Sequence, residues 1–193
     1  MTGLDVHRDA LIEVSVVVTD ANLTLAGPGF DVLIKPEQAA LDHMNDFVRQ
    51  MHTKSGLLDE LEKGETLVEA EKQVLEFIQQ YVPQPKKALL AGNSVGTDKR
   101  FLEEYMPRVI DHLHYRLIDV SSVKELAKRW YPHAYEETPV KHGGHRALAD
   151  ILESIQELEY YRRVLFPAGT GPTREEAQRI SAEVVALGIP SHD

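Results

Sequence analysis

The chain has no cysteine. That removes disulfide staples, thiolate zinc sites and cysteine nucleophiles together, and it suits a reducing cytoplasm. Long apolar runs are missing too: no stretch approaches the ~20 residues needed to span a bilayer, so no membrane partner is expected. The opening residues, MTGLDVHRDALIEVS, carry acidic side chains and no apolar h-region, unlike a secretory leader. Positive charge is also in short supply. Against 31 Asp and Glu stand 21 Lys and Arg, a formal net charge of −10. A protein that grips long nucleic acid by neutralising phosphates wants a basic face, so long nucleic acid is not expected as a partner. The deficit leaves room for a small anionic substrate held through metal ions, because carboxylates are the natural ligands of hard divalent cations.

What is present is ordinary for a globular chain. The 193 residues, 42% hydrophobic and 27% charged, suffice for one well-buried domain and a tail. LIEVSVVVTD (Leu11 to Asp20) is β-branched and continuous and reads as a buried strand; GFDVLIK (Gly29 to Lys35) alternates and completes a hairpin. Pro36 to Gln50 has helical spacing with Leu41, Met44, Phe47 and Val48 on one face, and His52 to Leu57 reads as a loop. Thr66 to Val82 is a strongly amphipathic helix with Thr66 and Glu69 placed for a capping box. Two strand-to-helix units follow. Ala88 to Ala91 leads through a glycine turn into a helix at Thr97, and YRLIDVSSVKELAKRW opens its helix at Ser121 or Ser122. The longest helix runs from His145 to about Leu165, its stripe set by Leu148, Ile151, Ile155 and Leu158. PAGTGP marks a boundary, and a polar helix follows in a C-terminal tail. Hairpin first and strand–helix alternation after predicts an α/β domain over 1–166 with a mixed sheet, and a tail over 167–193. Functional groups should gather at the carboxyl ends of the strands.

Three residues carry candidate chemistry. Asp98 follows the turn GNSVGT; alone, it reads equally as a helix-start aspartate favoured by the helix dipole. Asp150 falls early in an apolar helix beside Ala147, Ala149 and Ile151, where an unpaired carboxylate is costly. His145 sits where a glycine-rich turn becomes that helix; by itself it is as well read as a surface or capping histidine. Together, two carboxylates at strand-to-helix positions and a histidine titrating near neutrality can hold a divalent metal and take a proton from water. A two-metal phosphodiester hydrolysis normally needs two more carboxylates.

The strings GNSVGTDKRFL and HRALAD resemble the second and third motifs of the DEDDh 3′–5′ exonucleases. MTGL, MHTKSGL, HYRLIDVSSVKELAKRWYP and ESIQELEYYR are similar to the oligoribonuclease group within that family, and the resemblance runs from Met1 to about Phe166. It implies an RNase H-like fold with a mixed five-stranded sheet flanked by helices, two Mg2+ or Mn2+ ions, and cleavage of very short RNA oligonucleotides, chiefly dinucleotides, to mononucleotides. It also implies clearance of linear dinucleotides derived from cyclic dinucleotide signals. Asp98 and Asp150 match the metal carboxylates and His145 the general base. Leu4 matches a wedge between the last two bases, with Phe47 and His52 lining the base or phosphate pocket. Ser94, Arg116 and Ser121 match a cap on the 5′ phosphate, and Tyr115 a residue supplied by the partner in a homodimer. The residues alone leave Phe47 open to a core role and Arg116 to a surface ion pair. One departure stands out: the family's Asp-x-Glu, immediately before Met-Thr-Gly-Leu, has no counterpart here, nor has the central strand that carries it. The expectation is a true start upstream of Met1. The alternatives are an inactive dinucleotide-binding relic and a DNA proofreading-type exonuclease of the same superfamily, the latter disfavoured because a capped 5′ end excludes a polymer.

Overall fold

Short β-branched runs that alternate between two surroundings set the strands. The structure, a computed structural model, describes residues 1–141 and 146–188. β1 (Glu13–Val16) pairs antiparallel with β2 (Phe30–Leu33), Val14 opposite Val32. The predicted strand over Leu11 to Asp20 is thus regular only at its centre. Its outer part closes the hairpin through a bridge from Thr19 to Leu25. β3 (Leu89–Gly92) pairs parallel with β4 (His114–Asp119), with Gly92 opposite Asp119. Among the described residues these are two separate two-stranded ladders, with no pairing between β1 and β3. The one mixed sheet expected from the sequence is therefore split in two, and each ladder keeps an open edge.

The expected helix over Pro36 to Gln50 is two, α1 (Gln38–His43) and α2 (Asp46–Lys54), broken where Asn45 caps α2 by accepting from the Val48 amide. Asn favours that cap over helix interior because its side chain competes for backbone donors. The break turns Phe47 outward while Met44 stays buried, so the predicted shared face does not form. The first half of the loop expected over His52 to Leu57 belongs to the end of α2, and α3 (Leu57–Glu60) follows directly after Gly56 at φ 74°, a left-handed conformation that suits glycine. A short 3-10 turn (Leu61–Lys63) leads to α4 (Leu67–Tyr81), capped by Thr66 as predicted. The capping box is half formed. The Thr66 hydroxyl accepts from the Glu69 amide, but the Glu69 carboxylate turns instead to Lys72 and Gln73.

After β3 come α5 (Gly96–Tyr105) and α6 (Pro107–His112); after β4 come α7 (Val120–Trp130), α8 (Pro132–Glu136), α9 (Ala147–Leu165) and α10 (Arg174–Ala186). α7 begins at its Asp119 cap rather than at Ser121 or Ser122. The tail helix α10 has a complete capping box between Thr173 and Glu176.

The core lies where α4, α5 and α6 close over the β1–β2 ladder. Val74, Leu75 and Ile78 of α4 meet Val32, Ile34, Phe101, Met106 and Val109, all buried. Each such side chain contributes about 1.5–3 kcal/mol of burial. Glu71 is buried among them because its carboxylate accepts the Arg108 amide at 2.8 Å, satisfying a free donor at the start of α6. By contrast, the stripe predicted on α9 (Leu148, Ile151, Ile155, Leu158) is only half-buried; the helix buries Glu157 and Tyr161 instead.

Candidate functional site

Because β3 and β4 run parallel and Gly92 pairs with Asp119, both end at one edge of their ladder; β4 passes directly into α7 and β3 through a short turn into α5. The turn after β3 (Asn93, Ser94) therefore lies beside the start of α7 (Asp119, Ser121). The Ser94 amide donates to the Asp119 carboxylate at 3.0 Å and to the Ser121 hydroxyl oxygen at 2.9 Å. The two hydroxyls are 3.2 Å apart. Ser94 takes φ 52°, a left-handed conformation uncommon for a serine. The sequence predicted Ser94 and Ser121 as parts of one site, and the structure brings them together.

Asp98 lies in the first turn of α5, a few residues beyond Ser94. Burial pushes its carboxyl above the usual range and Asp119 adds to that, while its own backbone amide and the Met1 amino group pull the other way. A half-buried carboxylate of this kind suits a cation as neighbour, which is the donor chemistry a divalent metal needs. Asp150 differs from expectation. It is exposed in the first turn of α9, so desolvation does not mark it out; the small residues around it accompany a helix start rather than a buried face. Ser154, one turn further on, accepts from the Asn93 side chain at 2.9 Å, which ties α9 to the end of β3. Glu13 of β1 fixes the start of α9: its carboxylate accepts from Arg146 at 2.8 Å and from the Ala147 amide at 3.1 Å, and Arg146 also meets Glu60. Among the described residues no group of three acidic or histidine side chains is spaced to hold a metal ion. Asp98 and Asp150 are carboxylates of the right donor type, and among the described residues they belong to no such set. His145, the predicted base, lies outside the described residues.

Leu4 is 72% exposed, and the loop beneath it explains how. The Thr2 hydroxyl donates to buried Asp9 and accepts from the Ala10 amide, the other Asp9 oxygen accepts from Asp5, and the Tyr105 hydroxyl bonds to the Val6 and Asp9 carbonyls. A side chain at Gly3 would run into the Asp9 carboxylate. The loop is pinned from inside and leaves the leucine outside. Phe47 is 77% exposed, which rules out its core reading. His52 is buried and its Nε2–H donates to the Met1 carbonyl at 2.9 Å, so it packs behind the Leu4 loop. On β4, the Arg116 guanidinium bonds to the Tyr115 hydroxyl and lies 5.5 Å from that ring's centre. Both side chains are exposed, and among the described residues no carboxylate forms an ion pair with Arg116, against the surface ion-pair reading. Arg116 is close in sequence to the serine pair without touching it.

Sequence reasoning missed the groups behind the serines. Asn93 accepts from the Ser121 hydroxyl at 3.1 Å and donates to Glu157 at 3.2 Å. Glu157, 1% exposed, also pairs with Lys141 at 2.7 Å and Lys124 at 3.0 Å. The partners are up to 64 residues apart, so no local pattern could have announced them.

With that geometry in place, comparison with known proteins is informative. The model of the Exonuclease family matches residues 1–158. Oligoribonuclease of Leifsonia xyli subsp. xyli is 55% identical over 185 residues, covering 96% of this chain and 89% of that protein. Oligoribonuclease of Cutibacterium acnes is 57% identical over 183 residues (95% and 91%), and that of Streptomyces griseus 55% over 190 (98% and 94%).

Proposed function

This chain belongs to the exonuclease family, and from that membership we propose that it is a 3′–5′ exoribonuclease taking very short RNA, chiefly dinucleotides, to mononucleotides. The observation that carries the length preference is the Ser94–Ser121 pair at the carboxyl ends of β3 and β4, set at the start of α7. Helix-start amides and paired hydroxyls suit a terminal phosphate. A dinucleotide carries few charges and needs a pocket rather than a basic track, which agrees with the net charge of −10.

In this reading Leu4 separates the last two bases, Phe47 stacks beside it, and His52 holds the pocket wall. Ser94, Ser121 and Arg116 receive the 5′ phosphate. Tyr115, 73% exposed beside Arg116, is offered to a second copy of the chain in a homodimer. His145 takes the proton of the attacking water. Asp98 and Asp150 would share in holding divalent ions, Mg2+ or Mn2+, which when bound activate water and steady the leaving oxygen. The cytoplasm suits a cysteine-free RNA-decay enzyme. Relatives named oligoribonucleases weigh against a DNA proofreading role and against a binding relic.

The test compares hydrolysis of a 5′-phosphorylated dinucleotide with that of a longer RNA, with Mg2+ or Mn2+. The dinucleotide should be turned over preferentially. Arg116→Ala should erase the preference, since a guanidinium–phosphate bond is charge-assisted. His145→Ala should lower turnover by roughly 10²–10⁴ while dinucleotide binding persists. Equal activity on long RNA, or a preference untouched by Arg116→Ala, would sink the capped-site reading.

A further inference from the structure

The Ser94 and Ser121 hydroxyls are useful to a phosphate only if something fixes where they point. Serine hydroxyls rotate freely, and an αL serine is a conformation that must be held from outside. Two side chains do both. The Asp119 carboxylate accepts the Ser94 amide and the Ser121 amide, each at 3.0 Å, so a single oxygen joins the turn after β3 to the first residues of α7. From the other side the Asn93 carbonyl oxygen accepts the Ser121 hydroxyl proton at 3.1 Å. That bond leaves the Ser121 oxygen's lone pairs toward the Ser94 amide and hydroxyl. Asn93 cannot flip to present its amino group to Ser121, because that group is committed to Ser154 at 2.9 Å and to buried Glu157 at 3.2 Å. Glu157, held ionised between Lys124 and Lys141, is an acceptor only and so fixes which end of the amide faces it.

We propose that Asn93 and Asp119 are positioning residues that orient the Ser94 and Ser121 hydroxyls and thereby set the preference for a 5′-phosphorylated end. The inference rests on the reading of the serine pair as a phosphate site, and it adds a chain of command: Glu157 sets Asn93, Asn93 sets the Ser121 proton, and Ser121 with Asp119 sets Ser94. With its proton given to Asn93, Ser121 can only accept from Ser94, so the Ser94 hydroxyl is the one with a proton to turn from Ser121 to the ligand. Asp119 is needed as an acceptor and not as a charge.

The test is calorimetric binding of 5′-phosphorylated diadenylate and of the same dinucleotide with a 5′ hydroxyl, for five variants of the full chain, with thermal unfolding of each. Ser121→Ala examines the underlying reading. Asn93→Leu and Asp119→Ala examine the inference; each should cut the affinity ratio between the two ligands by about tenfold, the usual cost of one misdirected buried bond. Their affinity for the 5′-hydroxyl ligand should change less than twofold. Asp119→Asn retains an acceptor oxygen and should keep the ratio, which separates positioning from general damage. Glu157→Gln frees Asn93 to flip and should lower the ratio in the same way as Asn93→Leu. If Ser121→Ala leaves the ratio unchanged, the phosphate reading fails. If Ser121→Ala lowers it while Asn93→Leu and Asp119→Ala do not, or if those two weaken both ligands equally, the positioning role fails and the phosphate reading stands.

Discussion

Glu157 is a carboxylate with almost no access to water, on a helix that otherwise buries only Tyr161 among its described residues. Burial alone would raise its pKa, but Lys141 and Lys124 outweigh burial and hold it below the ordinary value of 4.5. A depressed folded pKa contributes stability that is present above the unfolded value and is lost as pH falls through the folded one. The thermal midpoint of the chain should therefore begin to drop below about pH 4.5, and Glu157→Gln should flatten that limb. At pH 7 the same substitution should cost about 3 kcal/mol, the range for breaking a buried pair. Midpoints measured from pH 3 to 7 for both chains check it; parallel curves would mean that other carboxylates govern the acid limb. The residue scale also holds the clearest surprise. Asp150 drew attention as a carboxylate on an apolar helix, yet it is exposed, while the carboxylates that are buried, Asp9, Glu71 and Glu157, bore no mark in the sequence.

Among the elements, close backbone approach decides more than propensity does. Gly64 has an ordinary extended conformation, so its value is not flexibility. A Cβ there would lie 2.7 Å from the Lys35 nitrogen and 2.9 Å from the Ile34 carbonyl carbon, where the Lys35 amide donates to the Glu65 carbonyl and the Glu65 amide donates to the Leu33 carbonyl at the end of β2. Backbone cannot swing aside as a side chain can. Gly64→Ala should destabilise the chain by about 2 kcal/mol, within the overpacking range, read as a lower urea midpoint with unchanged slope; a neutral result would mean the bridge can open at no cost. Long periodic elements such as α4 and α10 were legible because their apolar or capping positions repeat within the element. The short ones were not. α6 and α8 each open with a proline at the first helical position, a signal that was present in Pro107 and Pro132 and went unread. The break at Asn45 was likewise written as a helix cap inside a continuous apolar pattern. The start of α7 was misplaced by two residues because Asp119, rather than either serine, faces the first free amides.

For the whole molecule, family membership accounts for what no single element could show. Ser94 and Ser121, named from the motif strings, lie together at one edge of the β3–β4 ladder because the two parallel strands end side by side. The strings could not give the packing behind that edge, which draws on α7, α9 and the segment ending at Lys141. α9 lies against β1, β2 and β3 and so spans both ladders, fastened at its start by Glu13 and in its middle by Asn93. The two halves of the fold are joined through side chains, those of α9 and of the shared core under α4, α5 and α6, where a continuous sheet would join them through backbone.

That junction leaves a signature in solvent exchange. The Ile34 amide donates to the Ile12 carbonyl at 3.0 Å, and opposed residues in an antiparallel ladder alternate between bonded and non-bonded pairs. Val14 and Val16 therefore point their amides at β2, whereas Glu13 and Ser15 point theirs at the edge that faces no partner strand among the described residues. In deuterated buffer the Glu13 and Ser15 amides should exchange at least about tenfold faster than those of Val14 and Val16, although all four lie on one strand of uniform burial. Amide-resolved NMR gives the four rates directly. Equal protection would show the edge to be covered; a comb of alternating fast and slow sites would make β1 a strand that is ordered on one side and waiting on the other.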